Sequence, residues 1–160
     1  MSNFMEVLDG QPLIMSLNPQ HRVEILDCAY EVRADAGTFL MREGATANHF
    51  YIITKGKVAL EVHEPGTGTL IIETLGPGEI LGWSWLFRPY RWHFDVKAVE
   101  DLEALAFDAR CIRGKCEADP ALGYHVMEQF ARVMMERLQA TRFRLLDLYS
   151  AAKGAEGVGR

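Results

Sequence analysis

The residues best suited to chemistry lie in one segment, 78–94, which reads Gly-Glu-Ile-Leu-Gly-Trp-Ser-Trp-Leu-Phe-Arg-Pro-Tyr-Arg-Trp-His-Phe. This segment holds all three tryptophans of the chain, and it contains no Asp or Glu from Trp83 onward. Aromatic faces offer apolar and cation–π contacts, and guanidinium groups hold anions in a fixed fork. We favour a ligand or partner site here. The alternative is a hydrophobic hairpin buried in the core, with its arginines reaching solvent.

The histidines do not indicate a catalytic metal, because they are scattered along the chain without a His-x-His pair. They are His21, His49, His63, His93 and His125. A single axial haem ligand stays open as an alternative for His49, His63 or His93, although each is better explained as a surface or pocket residue. Because no Gly-rich phosphate loop, nucleophile elbow or Ser/Cys–His arrangement is readable, we expect no enzyme activity, no catalytic residue, no metal and no cofactor.

The three cysteines, Cys28, Cys111 and Cys116, are too few and unevenly numbered for a disulfide framework. The Cys111-x4-Cys116 pair has no further Cys or His at metal-ligand spacing. We therefore expect a structural or solvent-accessible thiol pair at these two positions.

Length and composition are those of one ordinary globular domain: 160 residues, 49% hydrophobic and 24% charged. A net charge of −5 argues against a general affinity for nucleic acid or anionic membrane. No apolar stretch approaches the roughly 20 residues that cross a bilayer. The N-terminus lacks the basic start and apolar run of a secretory signal, so we expect a cytoplasmic location.

Helices are predicted at both ends of the chain. Asn18-Pro19 is typical of a helix start and predicts a helix over 19–29 within a helical lead-in over 4–29. Asp119-Pro120 opens a long helix over 120–149, about 45 Å in length. Its coiled-coil-like spacing predicts a homodimer seam made of Met127, Phe130, Met134, Leu138, Thr141, Leu145 and Leu148. The tail, 150–160, is small and Gly-rich and is predicted to be disordered.

The middle of the chain, 30–108, alternates short apolar runs with Gly- and Pro-rich breaks. In 58–63, Val58, Leu60 and Val62 alternate with less apolar residues, as in a strand with one buried face. The spacing predicts a mainly β domain, an antiparallel sandwich or barrel. The predicted strands are Tyr30–Arg33, Thr38–Arg42, His49–Thr54, Lys57–His63, Thr69–Leu75, Phe94–Val99 and Leu102–Phe107.

The order of elements and three local stretches resemble the cyclic-nucleotide-binding-domain superfamily, which includes catabolite-activator-type regulators, kinase regulatory subunits and gated channels. The stretches are His49–Val58, Leu75–Gly82 and Arg137–Thr141, and the resemblance covers about 17–148. It implies an antiparallel β-barrel or jelly roll, with an N-terminal helix and a long C-terminal dimerisation helix.

The resemblance implies a ligand site at Gly82, Trp83, Ser84, Arg88, Arg91, Trp92, His93 and Thr141. Family members that bind nucleotide place a glutamate after the glycine for the ribose hydroxyl and an arginine further on for the phosphate. Here Trp83 follows Gly82, and the arginine position falls near 93–95. Backbone amides of a short helix after Gly82, helped by Arg88, Arg91 or a protonated His93, could still hold an anion. Thr141 either contacts the base, as the matching residue does in the family, or is a polar seam residue that sets the register.

Two functions follow from these observations. The first, which we favour, is a stand-alone sensory domain that binds a small anionic effector, a cyclic nucleotide or another small anion, and repacks the exit helix. The second is a protein-interaction module of the same fold that has lost its effector. Only Ser150–Arg160 follow the long helix, so we expect no helix-turn-helix domain and no direct DNA binding by this chain.

Overall fold

The computed structural model describes the backbone of residues 2–158 and the side chains of residues 5–155. Five α-helices lie at its two ends: α1 Ser2–Gly10, α2 Pro12–Met15, α3 Pro19–Leu26, α4 Ala109–Ala118 and α5 Pro120–Val158. Eight strands lie between α3 and α4: β1 Ala29–Ala34, β2 Phe39–Met41, β3 His49–Lys55, β4 Val58–Glu64, β5 Gly68–Leu75, β6 Ile80–Leu81, β7 Asp95–Ala98 and β8 Leu102–Asp108.

The strands form two four-stranded sheets in the described part of the chain, in the orders β1-β8-β3-β6 and β2-β7-β4-β5. All their pairings are antiparallel. The antiparallel jelly-roll class is thereby confirmed, whereas the closed barrel is replaced by two open sheets. The seven predicted strands are present within a few residues, but β6 was not predicted, because two residues are too short to show a periodicity.

The N-terminal lead-in is three short helices, because proline residues start two of them. Gln11 and Asn18 are the N-caps, and their side-chain oxygens accept hydrogen bonds from the amides of Leu13 at 2.7 Å and His21 at 2.8 Å. The predicted helix over 19–29 ends at Leu26, because the chain joins the sheet as β1 at Ala29.

Helix α4 was not predicted, because only Ile112 and Ala109 are buried along its ten residues. Its sequence signal is the cap: the Asp108 carboxylate accepts from the Cys111 amide at 2.8 Å. The predicted Cys111–Cys116 thiol pair is wrong. Cys111 forms a disulfide with Cys28, and Cys116 is free. Residues five apart on a helix lie about 140° apart around its axis, so Cys111 and Cys116 face different neighbours.

Helix α5 continues through Val158 instead of giving way to a disordered tail at 150. Ala151, Ala152 and Ala155 have the highest helix propensity of any residue type and outweigh the single glycines among them. Gly159 and Arg160, also placed in that tail, lie outside the described residues.

The chain divides into two compact units, Met1–Val126 and Met127–Arg160. Among the described residues, no helix is long and apolar enough to cross a membrane.

Asp119 joins α4 to α5 and is also paired with α3. Its carboxylate accepts from the Leu122 amide at 3.3 Å, and it lies 2.8 Å from Nε2 of the buried His21. The pKa of Asp119 is lowered first by the Leu122 hydrogen bond and second by the His21 hydrogen bond. Since the folded-state pKa lies below the ordinary value, the ionised carboxylate stabilises the fold above that value. This stability is lost as the pH falls through the folded-state pKa.

We expect Asp119→Asn to lower the melting temperature near neutral pH and to flatten its acid dependence. The amide cannot ionise, so the variant has no carboxylate stabilisation to lose on acidification. Thermal unfolding from about pH 6 to about pH 2 measures this, with the exposed Asp35→Asn as the matched control. Equal acid dependence in wild type and Asp119→Asn would remove Asp119 from the acid sensitivity of the fold.

Candidate functional site

The aromatic and basic segment, 78–94, contains the short strand β6 and then the connection from β6 to β7, residues 82–94, which we call the cassette loop. After Leu81 the chain turns at Gly82, whose φ is +97°, and Ser84–Leu86 then forms one turn of 3-10 helix. The short helix that the sequence predicts after Gly82 is therefore present, as a single turn.

Gly82 lies directly against the ring of Trp92. A Cβ atom added to Gly82 would lie 2.9 Å from two ring carbons of Trp92 and 2.9 Å from Cε of Met41. Trp92 itself is only 8% exposed. The missing side chain at Gly82 thus provides the space that the indole fills, and the left-handed φ reinforces the need for glycine.

Trp85 belongs to the core. Its ring stacks on Phe50 with centroids 5.1 Å apart, and Phe50 stacks on Phe107 at 4.5 Å. The register of β3 and β8 places Phe50 opposite Phe107, so the strand pairing creates the platform on which the indole rests. Trp83 is half-buried and Ser84 is buried.

Hydrogen bonds to the loop that follows β2 hold the second half of the cassette loop in place. The Tyr90 carbonyl accepts from the Ala47 amide at 2.7 Å. Trp92 exchanges two backbone hydrogen bonds, donating to Ala45 at 3.0 Å and accepting from Gly44 at 2.9 Å. The loop is therefore fixed by backbone contacts as well as by its buried rings.

Arg113 of α4, which is not among the predicted site residues, anchors the same loop. Its guanidinium donates to the Trp85 carbonyl at 2.8 Å and lies 4.1 Å from the ring centroid of Tyr90. This is a cation–π contact within the usual range. Arg113 lies in the unpredicted helix, so no local pattern could have linked it to the cassette loop.

The charged and ionisable residues of the predicted ligand site lie at the surface. Arg88, Arg91 and His93 are exposed, as is Phe87 at 50%. One guanidinium nitrogen of Arg91 donates to the Gly44 carbonyl at 3.1 Å. The indole rings therefore point inward and the positive charges outward, which matches the buried-hairpin interpretation for Trp85 and Trp92.

Two further predicted residues, Thr141 and His49, have local partners. The Thr141 hydroxyl donates to the Arg137 carbonyl at 2.9 Å within α5. Nε2 of His49 lies 2.7 Å from the Tyr30 hydroxyl, and His63 is exposed. Burial, together with the nearby Tyr30, raises the pKa of Tyr51 to about 12, so this phenol stays protonated.

No group of three or more potential metal ligands occurs among the described residues.

The sequence profile described as the cyclic nucleotide-binding domain matches residues 31–119, from β1 to the end of α4. The chain belongs to the cyclic nucleotide-binding domain family. This confirms the resemblance to that family, and the cassette loop lies within the matched residues.

Three proteins illustrate the relationship. The cAMP-dependent protein kinase regulatory subunit of Schizosaccharomyces pombe is 30% identical over 66% of this chain, which spans about a quarter (24%) of that protein. The catabolite activator protein of Thermus thermophilus is 26% identical with a TM-score of 0.69, covering 88% of this chain and 63% of that one. A cyclic nucleotide-binding domain from Methylobacillus flagellatus shares the fold at 16% identity, with a TM-score of 0.77 and coverages of 91% and 82%.

We expect Gly82→Ala to destabilise the domain more than Gly78→Ala. Both glycines have a left-handed φ, +97° and +86°, so both variants incur a backbone cost of about 1–2 kcal/mol. Only at Gly82 would the new methyl group collide with Trp92 and Met41, because the space beside Gly78 is open. Overpacking of this kind adds about 1–3 kcal/mol. Urea unfolding measures both variants, and equal losses would show that Trp92 does not press on Gly82.

Proposed function

We propose that this chain is a non-enzymatic regulatory domain that works through protein contacts, with its cassette closed by its own Trp92. The packing of the Trp92 ring on Gly82 carries the proposal. The resemblance implies that Trp83 stands where nucleotide-binding relatives place the ribose-binding glutamate, and that the phosphate-binding arginine would fall near 93–95. A cyclic nucleotide entering here would have to displace a buried indole, and Arg88 and Arg91 lie at the surface.

The second candidate is the sensor of a small anionic effector. The absence of acidic residues from Trp83 to Phe94, beside Arg88 and Arg91, favours it. In this case the anion would bind near Gly82, Trp83 and Ser84, and the Trp92 ring would leave its buried position beside Gly82. The two candidates differ in one measurable property, which is whether any small anion binds at all.

We expect wild type to show no binding of cyclic AMP tighter than about 10 µM. The loss of two charge-assisted contacts costs about 3–6 kcal/mol relative to a binding relative. Isothermal titration and thermal shift with cyclic AMP, cyclic GMP and phosphorylated metabolites test this. The absence of a saturable response to any of these ligands would support the closed cassette.

A saturable response would instead establish the sensor. Arg88→Ala and Arg91→Ala should then weaken binding and its salt dependence. Trp92→Ala separates the candidates further: in the sensor it removes the displaced group and should tighten binding, whereas in the closed cassette it should mainly destabilise the fold. Phe87→Ala is the matched control, because this exposed aromatic ring lies in the same loop but outside the proposed anion site.

We further propose that two copies associate through α5. Along 127–149 of this helix a stripe of large apolar side chains is exposed: Met127 at 44%, Leu138 at 53%, Leu145 at 61%, Leu148 at 69% and Tyr149 at 63%. Met134 is half-buried. Since exposed apolar stripes of this length are covered in stable proteins, a second α5 is the partner that fits by symmetry. Thr141, on the same stripe, would set the register.

We expect sedimentation to give twice 18.0 kDa for wild type. Met134→Lys or Leu145→Lys should shift the protein towards the monomer, because a lysine in the seam would have to be desolvated. Glu136→Lys, on the other side of the helix, is the control and should stay dimeric. A monomeric wild type would refute the dimer.

Direct DNA binding does not form part of the proposal, because the chain carries a net charge of −5. Any action on DNA would pass through a protein partner in the cytoplasm. A gel-shift assay with tight, sequence-specific duplex binding by the purified chain would contradict this.

A further inference from the structure

The disulfide joins the two points at which the chain enters and leaves its sheets. Cys28 directly precedes β1, and Cys111 lies in the first turn of α4, immediately after β8. The two residues are 83 positions apart, with their Cα atoms at 5.7 Å. The bond therefore closes a covalent ring that contains all eight strands.

Two non-covalent interactions next to the disulfide also connect α3 and the residues after it to α4 and Asp119. Nζ of Lys115 donates to the Glu24 carbonyl at 2.7 Å and lies 3.5 Å from the Asp27 carboxylate. One turn further along, Asp119 meets His21 at 2.8 Å. Cys111, Lys115 and Asp119 are four residues apart, so all three lie along one side of this segment and meet α3 and the residues that follow it.

We propose that the Cys28–Cys111 disulfide is a reversible thiol–disulfide exchange site that takes an external dithiol as reductant and controls how tightly α3 is held to α4. Cys111 is half-buried whereas Cys28 is only 4% exposed, so we expect the reagent to attack the Cys111 sulfur. Attack there forms a mixed disulfide on Cys111 and expels the Cys28 thiolate.

The second thiolate of the reagent then attacks the mixed disulfide and expels the Cys111 thiolate. Two electrons pass to the protein, each protein sulfur takes up a proton, and the reagent leaves as its cyclic disulfide. The Cys111 thiolate leaves at the N-terminal turn of α4, where the helix dipole stabilises negative charge.

Cys116 does not act as an internal thiol for this exchange. Burial, with the carboxylates of Asp119 and Glu117, raises the pKa of its thiol to about 11, so almost no thiolate exists near neutral pH. It also packs against α5: a Cβ added to Gly123 would lie 3.3 Å from the Cys116 Cβ. Reduction therefore depends on an external thiol.

The helix that the disulfide secures also borders a cavity. A cleft of about 360 Å³ lies between the N-terminal helices and the β1–β8 edge, and Arg22 and Leu26 of α3 line it together with Leu8, Ala29 and Leu105. Loosening α3 would alter this cleft and the start of α5. In a reducing compartment such as the cytoplasm, disulfides that do form are mostly transient and redox-sensing.

The first measurement is a thiol titration of the aerobically purified, denatured full chain. We expect one free thiol of the three cysteines, rising to three after dithiothreitol. The Cys116→Ser variant is the control: it should have no free thiol before dithiothreitol and two free thiols after it. Three free thiols in the untreated protein would overturn the proposal.

The second measurement compares oxidised and reduced wild type by thermal unfolding and by hydrogen exchange. We expect reduction to lower the melting temperature by on the order of 10 °C, because the bond closes a long loop. Exchange in 19–30 and 108–119 should rise about tenfold or more, with little change in β3 and β4. The double variant Cys28→Ala/Cys111→Ala should have the melting temperature and exchange rates of the reduced protein, and dithiothreitol should not change them. If reduction leaves hydrogen exchange in these two segments unchanged, the proposed redox switch is wrong. This result does not depend on whether the protein binds nucleotides.

Discussion

The contact between the Trp92 ring and the Gly82 backbone links most features of this domain. Gly82 can adopt its left-handed turn and accept the ring only because it has no side chain. Backbone hydrogen bonds to Gly44 and Ala45 hold Trp92 in that position. With the indole fixed there, Arg88 and Arg91 are left on the surface, while Trp85 and Trp92 become part of the protein core.

The aromatic stack under Trp85 and the contacts of Arg113 both hold the cassette loop against the rest of the domain. Trp85 rests on Phe50 and Phe107, which the strand register brings together. Arg113 reaches across from α4 to the Trp85 carbonyl and the Tyr90 ring. Because α4 carries this arginine and the disulfide, the cassette loop and the α3–α4 contact are both tied to one short helix. A change at the disulfide could therefore reach the loop through α4.

The sequence predicts the fold well where the patterns are local. Alternation in Val58, Leu60 and Val62, glycine-rich turns and the Asn18-Pro19 cap give the strands and α3 nearly as observed. It fails where burial depends on distant partners. Nothing near Trp85 or Trp92 indicates that one ring meets Phe50 and the other Gly82, and Cys111 could not be matched to Cys28 across a separation of 83. For α4 the apolar signal was too sparse, and for α5 the glycines hid a helix that alanine sustains.

The burial of Trp92 is tested most directly by fluorine NMR of protein labelled with 5-fluorotryptophan. Three resonances are expected, and single Trp→Phe variants assign them. With a soluble paramagnetic agent, the Trp83 signal should broaden most, and the Trp85 and Trp92 signals should broaden little, because these two rings are 1% and 8% exposed. Addition of cyclic AMP should leave the Trp92 signal unchanged. A Trp92 resonance that broadens like free 5-fluorotryptophan, or that moves saturably with cyclic AMP, would contradict the closed cassette.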